Sequence, residues 1–268
     1  MGRISCFRKS VVLFFLGTFI FSSVYSQDNL CYAQRLELTQ CSTDAKKIDE
    51  SILKLSELLK TENDFAKKNA LVWEAYNLMC ELDKYKDLKK DFILARYKNV
   101  IEYLDKNYSS IDSNTLLSCT DIISCSMTYL SKGELMKQGL NVKKYYSQCL
   151  KLDKENLVAV VNLAQWYYYA PAIGGGSKKK CYEQCKRAYE ILCTSNRAYT
   201  DYERMYVSTV YSQCLFEQKK LNESSKILEE AKEYGKEIFR VQKCILLNKE
   251  GKSWFFHCSN RTPADIEY

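Results

Sequence analysis

No glycine and no proline occurs between Gly17 and Gly133, and the whole chain of 268 residues holds only two prolines and nine glycines. Strands need turn residues between them, and proline is the residue that most often breaks a helix. A chain so short of both is confined to helices joined by brief polar links. The apolar spacing agrees. ESILKLSELLK (Glu50–Lys60) sets Ile52, Leu55 and Leu59 at steps of three and four, and Ile48 extends the stripe backwards, which is one helical face. Similar faces run through 64–84, 87–107, 115–131, 133–152, 156–170, 177–193, 200–218 and 222–234. Polar breaks such as NYSSIDSN (Asn107–Asn114) and LDKEN (Leu152–Asn156) separate them. Links this short make neighbouring helices antiparallel, so the predicted fold is an all-α solenoid of antiparallel helix pairs.

The first residues read as a segment apart from that fold. Arg3, Arg8 and Lys9 precede the apolar run VVLFFLGTFIF, and SSVYS follows, with Val24 and Ser26 at positions a signal peptidase prefers. The pattern is that of a secretory signal, residues 1–26, cut after Ser26. The alternative is an uncleaved membrane anchor. Cys31 follows DNL and Cys6 precedes the apolar run, so neither fits a lipid-anchor motif. No later stretch is long and apolar enough for a transmembrane helix, which implies an exported protein, periplasmic or extracellular. The helical domain is read as 27–250, with 251–268 as a tail. The net charge of +7 includes three charges from that leader. The remaining excess is spread thinly along the chain and gives no basic stripe for nucleic acid.

The helix pairs repeat. On one helix lie Ser208, Tyr211, Ser212 and Leu215; Lys219 and Leu221 fall in the turn; Ser224, Leu228 and Ala231 lie on the next. This pattern resembles the tetratricopeptide repeat, which wants small residues where its two helices cross, since only a short side chain fits there. Ser212, Ser224, Leu228 and Ala231 match those slots. The pattern recurs upstream. Tyr146 and Cys149 close one second helix, Leu163, Ala164 and Tyr167 stand on the next first helix, and Cys181, Cys185 and Ala188 on its partner. The resemblance covers about 140–235 well; over 43–131 only amphipathic pairs are visible. It implies a concave face lined by the first helices of each pair. The turn described next is similar to one in exported bacterial tetratricopeptide proteins, including the spirochaete periplasmic partners of TRAP transporters.

That turn is WYYYAPAIGGGSKKKCYEQC (Trp166–Cys185), where extra residues separate the two helices. Pro171 ends the first helix, Gly174, Gly175 and Gly176 let the chain reverse, and Ser177 is placed to cap the second. A Walker loop needs a lysine followed by serine or threonine after a strand, and here Lys178 follows Ser177. A widened structural turn is the expectation. The alternative is an anion held at Gly175, Gly176, Ser177, Lys178 and Lys179, where a helix start offers amide donors.

Thirteen cysteines are unusual for an exported protein without a disulfide framework. Yet Cys149 and Cys181 occupy small-residue slots, Cys185 a larger core slot, and two cysteines four apart on one helix are badly placed to bridge each other. Most are expected to be core residues, with bridges among Cys31, Cys41, Cys244 and Cys258 as the alternative. Cys181 and Cys185 share a helix face, and His257 with Cys258 offers further ligand atoms. Zinc sites more often show C-x-x-C pairs, however, and none is present. Neither a metal nor another cofactor is expected.

His257 is the sole histidine and sits among aromatics, which suits packing better than base catalysis. The carboxylates lie on solvated faces, as in ILEEAKEYGKE (Ile227–Glu237). An enzyme of helical-barrel type would need a carboxylate pair on one inner surface, and none stands out. The aromatics are better material for recognition. Trp166 and Tyr169 are expected on the groove face, continued by Tyr199, Tyr202 and Tyr206 at steps of three and four, unless these tyrosines simply pack between repeats. The expected function is a non-catalytic scaffold that binds a protein partner through its concave face, in an envelope or transporter assembly by resemblance. The alternative is a carrier of a small ligand in the groove or at the glycine-rich turn.

Overall fold

The computed structural model describes residues 44–259, and every regular element in that range is helical. The leader read over 1–26, together with Cys31 and Cys41, lies outside the described residues. In chain order the α-helices are α1 (Ala45–Thr61), α2 (Phe65–Met79), α3 (Leu88–Asn107), α4 (Ser113–Ser126), α5 (Lys132–Leu152), α6 (Leu157–Tyr169), α7 (Lys178–Thr194), α8 (Asp201–Glu217), α9 (Leu221–Gly235), α10 (Phe239–Lys249) and α11 (Trp254–Ser259). No helix among the described residues is long and apolar enough to cross a membrane.

The starts of these helices are written locally. Asp44 accepts from the Lys46 and Lys47 amides, Asp64 from Lys67, Asp112 from Asn114 and Thr115, and Asn156 from Ala159. Each side-chain oxygen satisfies amides that the first helical turn leaves open. Thr200 and Glu203 form a full capping box at α8: Glu203 N–H donates to Thr200 Oγ1 at 3.2 Å, and Thr200 N–H donates to Glu203 Oε2 at 2.8 Å.

Each helix packs on the one before it, and α2 with α4, α6 with α8 and α8 with α10 also touch. Consecutive pairs thus stack as a helical repeat. The even-numbered helices form an inner layer. Every residue of α6 from Leu157 to Ala164 is buried, and so is nearly all of α8, whereas α7 buries only Cys181, Cys185 and Ala188. Thus α6 and α8 are buried around most of their circumference, whereas α7 buries a stripe. Where the layers cross, side chains are small: Ala164, Cys181, Cys185, Ala188, Ser212, Ser224 and Ala231 are all buried, and Ser224 Oγ donates to the Ser212 carbonyl at 2.8 Å.

The helical stack continues past 250. The chain reverses at Gly251 (φ 73°), and α11 carries Phe255, fully buried, onto Tyr168 with rings stacked at 4.3 Å. A six-residue helix is too short to display a helical period in the sequence, which reads as a tail over 251–268.

Burial holds the Glu203 carboxyl above its ordinary value of 4.5, although Thr200 and Arg197 pull the other way. A carboxylate whose folded pKa is raised costs stability at neutral pH, and that cost fades as pH falls toward 4.5. Glu203→Gln keeps the capping geometry without the charge. We therefore expect urea denaturation to find the variant at least as stable as the native chain at pH 7, with the difference gone at pH 4. A loss of stability at pH 7 would mean that the charge itself holds the cap.

Candidate functional site at the glycine-rich turn

Pro171 follows the last turn of α6, Ala172–Gly174 form a short 3-10 turn, and Gly175 takes the left-handed conformation (φ 94°). The turn then closes on itself. Gly174 and Gly176 donate to the Pro171 carbonyl at 2.9 and 3.0 Å, Gly175 to Ala172 at 2.9 Å, and Ser177 to Tyr167 at 2.7 Å. The Ser177 side chain caps α7 by accepting from Lys180 N–H at 3.2 Å. The amides of Gly175, Gly176 and Ser177 are therefore spent within the turn. Of the five positions where an anion is the alternative expectation, Gly175, Gly176, Ser177, Lys178 and Lys179, the first three thus have their amides engaged in holding the turn, while Lys178 and Lys179 lie in the first turn of α7.

Three lysines cover the aromatic run instead. Lys143 of α5 lies with Nζ 4.9 Å from the Trp166 ring centre, Lys178 lies 4.8 Å from Tyr168, and Lys180 lies 5.6 Å from Tyr167. Cation–π attraction of this kind contributes about 0.5–1 kcal/mol at exposed sites, which offsets the unfavourable placement of lysines at a helix start. Lys178 also reaches Glu217 at 3.8 Å, and Ser253 donates to the same carboxylate. Trp166 Nε1–H donates to the Gly139 carbonyl at 2.8 Å, so α5 and α6 are locked side by side.

The rim of this cluster is apolar and open. Ile173, at the tip of the turn, is 100% exposed, and Tyr169 is 43% exposed. Met136 and Leu140, on the α5 stripe that leads to Lys143, are also largely exposed. Single exposed apolar residues need no explanation; several on neighbouring elements beside a group of lysines suggest a contact surface.

The five aromatics expected on one binding face are divided by the fold. Trp166 and Tyr169 stand at this surface. Tyr199, Tyr202 and Tyr206 are buried, so a partner cannot reach them in this conformation. Tyr202 and Tyr206 stack at 5.6 Å, and the Tyr206 hydroxyl donates to Asn162 Oδ1 while accepting from Gln165, each at 2.6 Å. The network runs on from Asn162 to Asp121 at 2.6 Å and from Tyr146 to Asp121 at 3.0 Å. Such closed polar networks specify one packing of an interior.

The inner face is closed by the C-terminal helices. Arg240 of α10 sits over Trp73, Tyr206 and Trp254, with its guanidinium carbon 5.2, 4.7 and 5.6 Å from the three ring centres. Lys243 and His257 both approach Glu81, just past α2, at 3.6 Å. A cavity beside Arg240, lined by Glu74, Tyr202 and Trp254 among others, measures about 30 Å³.

Beneath the glycine-rich turn three thiols meet. Cys181 and Cys185 lie one turn apart on α7, Cys214 projects from α8, and their sulfurs lie within 4.8 Å of one another. Cys181 Sγ is 3.8 Å from Cys214 Sγ. Hydrogen bonds from Cys185 and then Cys214 stabilise the Cys181 thiolate and lower its pKa, while the other two thiols are pushed up. The pairing of Cys181 with Cys185 was visible in the sequence; Cys214 was not, because no spacing links it to them. All described cysteines are free thiols, including Cys244 and Cys258.

No known family model matches this sequence, and no curated protein is significantly similar to it.

Proposed function

We propose that this chain is an exported, non-catalytic scaffold of tetratricopeptide type. Its recognition surface is the lysine-flanked aromatic rim around Trp166, Tyr169 and Ile173 rather than the concave face. The observation that carries this reading is Ile173, wholly exposed on a turn held rigid by its own backbone hydrogen bonds. A rigid apolar tip loses little entropy on docking. The neighbouring Lys143, Lys178, Lys179 and Lys180 favour an acidic protein partner and steer its approach. The small buried residues where α6 to α9 cross support the tetratricopeptide assignment. Closure of the inner face by α10 and α11, with Arg240 over Trp73, Tyr206 and Trp254, favours a scaffold over a carrier that holds its solute there.

A photo-crosslinking side chain placed at Ile173 in the full chain, in its native host, tests the proposal. One acidic envelope protein is expected to be captured, and capture is expected to fail when Lys178 and Lys179 are both changed to glutamate. The same probe at Leu53, on α1, should not capture it. Equal capture from both positions, or capture indifferent to the charge reversal, would refute the surface. Recovery of the chain with only a bound solute would favour the carrier instead.

A further inference from the structure

We propose that Cys181, Cys185 and Cys214 form a binding site for one thiophilic metal ion, of the class represented by Zn(II) and Cu(I). The geometry is nearly in place. A metal bonded to each sulfur at about 2.3 Å holds its sulfurs roughly 3.8–4.0 Å apart. Here one pair is 3.8 Å apart and all three sulfurs lie within 4.8 Å, so binding needs a contraction below one ångström, within reach of cysteine rotamers. The scaffold beneath is stiff, because the ligands come from two packed helices rather than from a loop.

Packing alone does not call for these sulfurs. The next crossing, between α8 and α9, is built with Ser212, Ser224 and Ala231 at equally buried positions. Size therefore asks for a small residue, and three thiols converging on one point ask for something more. The donor set also selects the ion. The group contains thiols alone, and thiolate sites prefer Cu(I) and Zn over Mg or Ca. The three cysteines are between 0% and 4% exposed, so the complex forms out of water and a three-coordinate ion suits it.

Binding replaces the S–H bond of each protonated thiol by a metal–sulfur bond and releases that proton to solvent, so affinity rises with pH. The complex carries one net negative charge with Zn(II) and two with Cu(I). Glu217 and Lys178 both act electrostatically on Cys181, the carboxylate against the negative charge and the ammonium for it. Cys181 also stands just after the glycine-rich turn, so fraying of the first turn of α7 offers the ion a way in.

The test uses the full chain, reduced, metal-free and kept anaerobic. Zn(II) and Cu(I) are titrated in separate arms against a chromophoric chelator. One ion per chain is expected in at least one arm, and the arm that wins assigns the ion. Outer-sphere changes already cost about 10–100-fold in metal affinity, so removing one of three ligands should cost about 100-fold or more. Cys185→Ser and Cys214→Ser are the test variants, with Cys193→Ser, at an exposed thiol, as the unaffected control. A second readout guards against misfolded variants: in the native chain the ion should shield Cys181, Cys185 and Cys214 from alkylation in mild urea, with Cys193 still labelled. No stoichiometric binding in either arm, or binding that survives both substitutions with no shielding of the three thiols, overturns the proposal.

Discussion

Replacing Gly176 by alanine is expected to destabilise the protein by about 2–4 kcal/mol, in the range of substitutions that force a backbone clash. A Cβ at this position would sit 1.8 Å from the Ala170 carbonyl oxygen and 2.6 Å from its carbon. Both are backbone atoms, so no side-chain rotation relieves the overlap. The chain must move, and the bonds from Gly176 to Pro171 and from Ser177 to Tyr167 break with it. Loss of the second also shifts Ser177 away from its capping position on α7. For a chain of this size the melting temperature should fall by roughly 2–4 °C for each kcal/mol, measured by calorimetry. Gly133→Ala is the control: nothing lies within 4 Å of that site and it is helical, so alanine there should be neutral or stabilising by about 0.5 kcal/mol. Equal melting temperatures for the Gly176 variant and the native chain would show that the turn does not hold its observed shape in solution.

Arg240→Ala should cost about 3 kcal/mol and loosen the C-terminal helices. The guanidinium is enclosed by Trp73, Tyr206 and Trp254, and Glu74 lies within electrostatic reach. Removing one member of a buried charge group typically costs about 3–5 kcal/mol, because the remaining charge loses its partner. The lower end is apt here, since Arg240 keeps some contact with solvent. Lysine is a poor substitute: it lacks the planar face that stacks on aromatic rings. Hydrogen exchange should show faster opening of α10 and α11, and of the end of α2 that they cover. Lys243→Ala, which removes a more exposed partner of Glu81, should do less. If the arginine variant exchanges like the native chain, closure rests on α11 packing alone, through Phe255 on Tyr168.

The helices themselves were legible. Stretches without glycine or proline and apolar residues at steps of three and four are local signals, and helix formation is governed locally. The widened turn was legible for the same reason: Pro171, the three glycines and Ser177 act on their own backbone. The binding face was only half legible. Trp166 to Tyr169 point around the whole helix, and Tyr199, Tyr202 and Tyr206 share one face, but a stripe does not say whether it meets solvent or another helix. That depends on the return of α10 and α11, whose amphipathic signals are short.

The sequence by itself therefore determined an all-helical chain, the helices from Glu50 to Tyr234 in their order, the turn at Gly174–Ser177 and the small residues at the crossings between 164 and 231, since all of these follow from neighbours within a few positions. Tertiary structure alone decided that Tyr199, Tyr202 and Tyr206 are interior, that Arg240 and His257 close the inner face, and that Cys214 joins Cys181 and Cys185. Each of those depends on residues more than thirty positions apart meeting across a packed interface, and no local periodicity encodes that meeting.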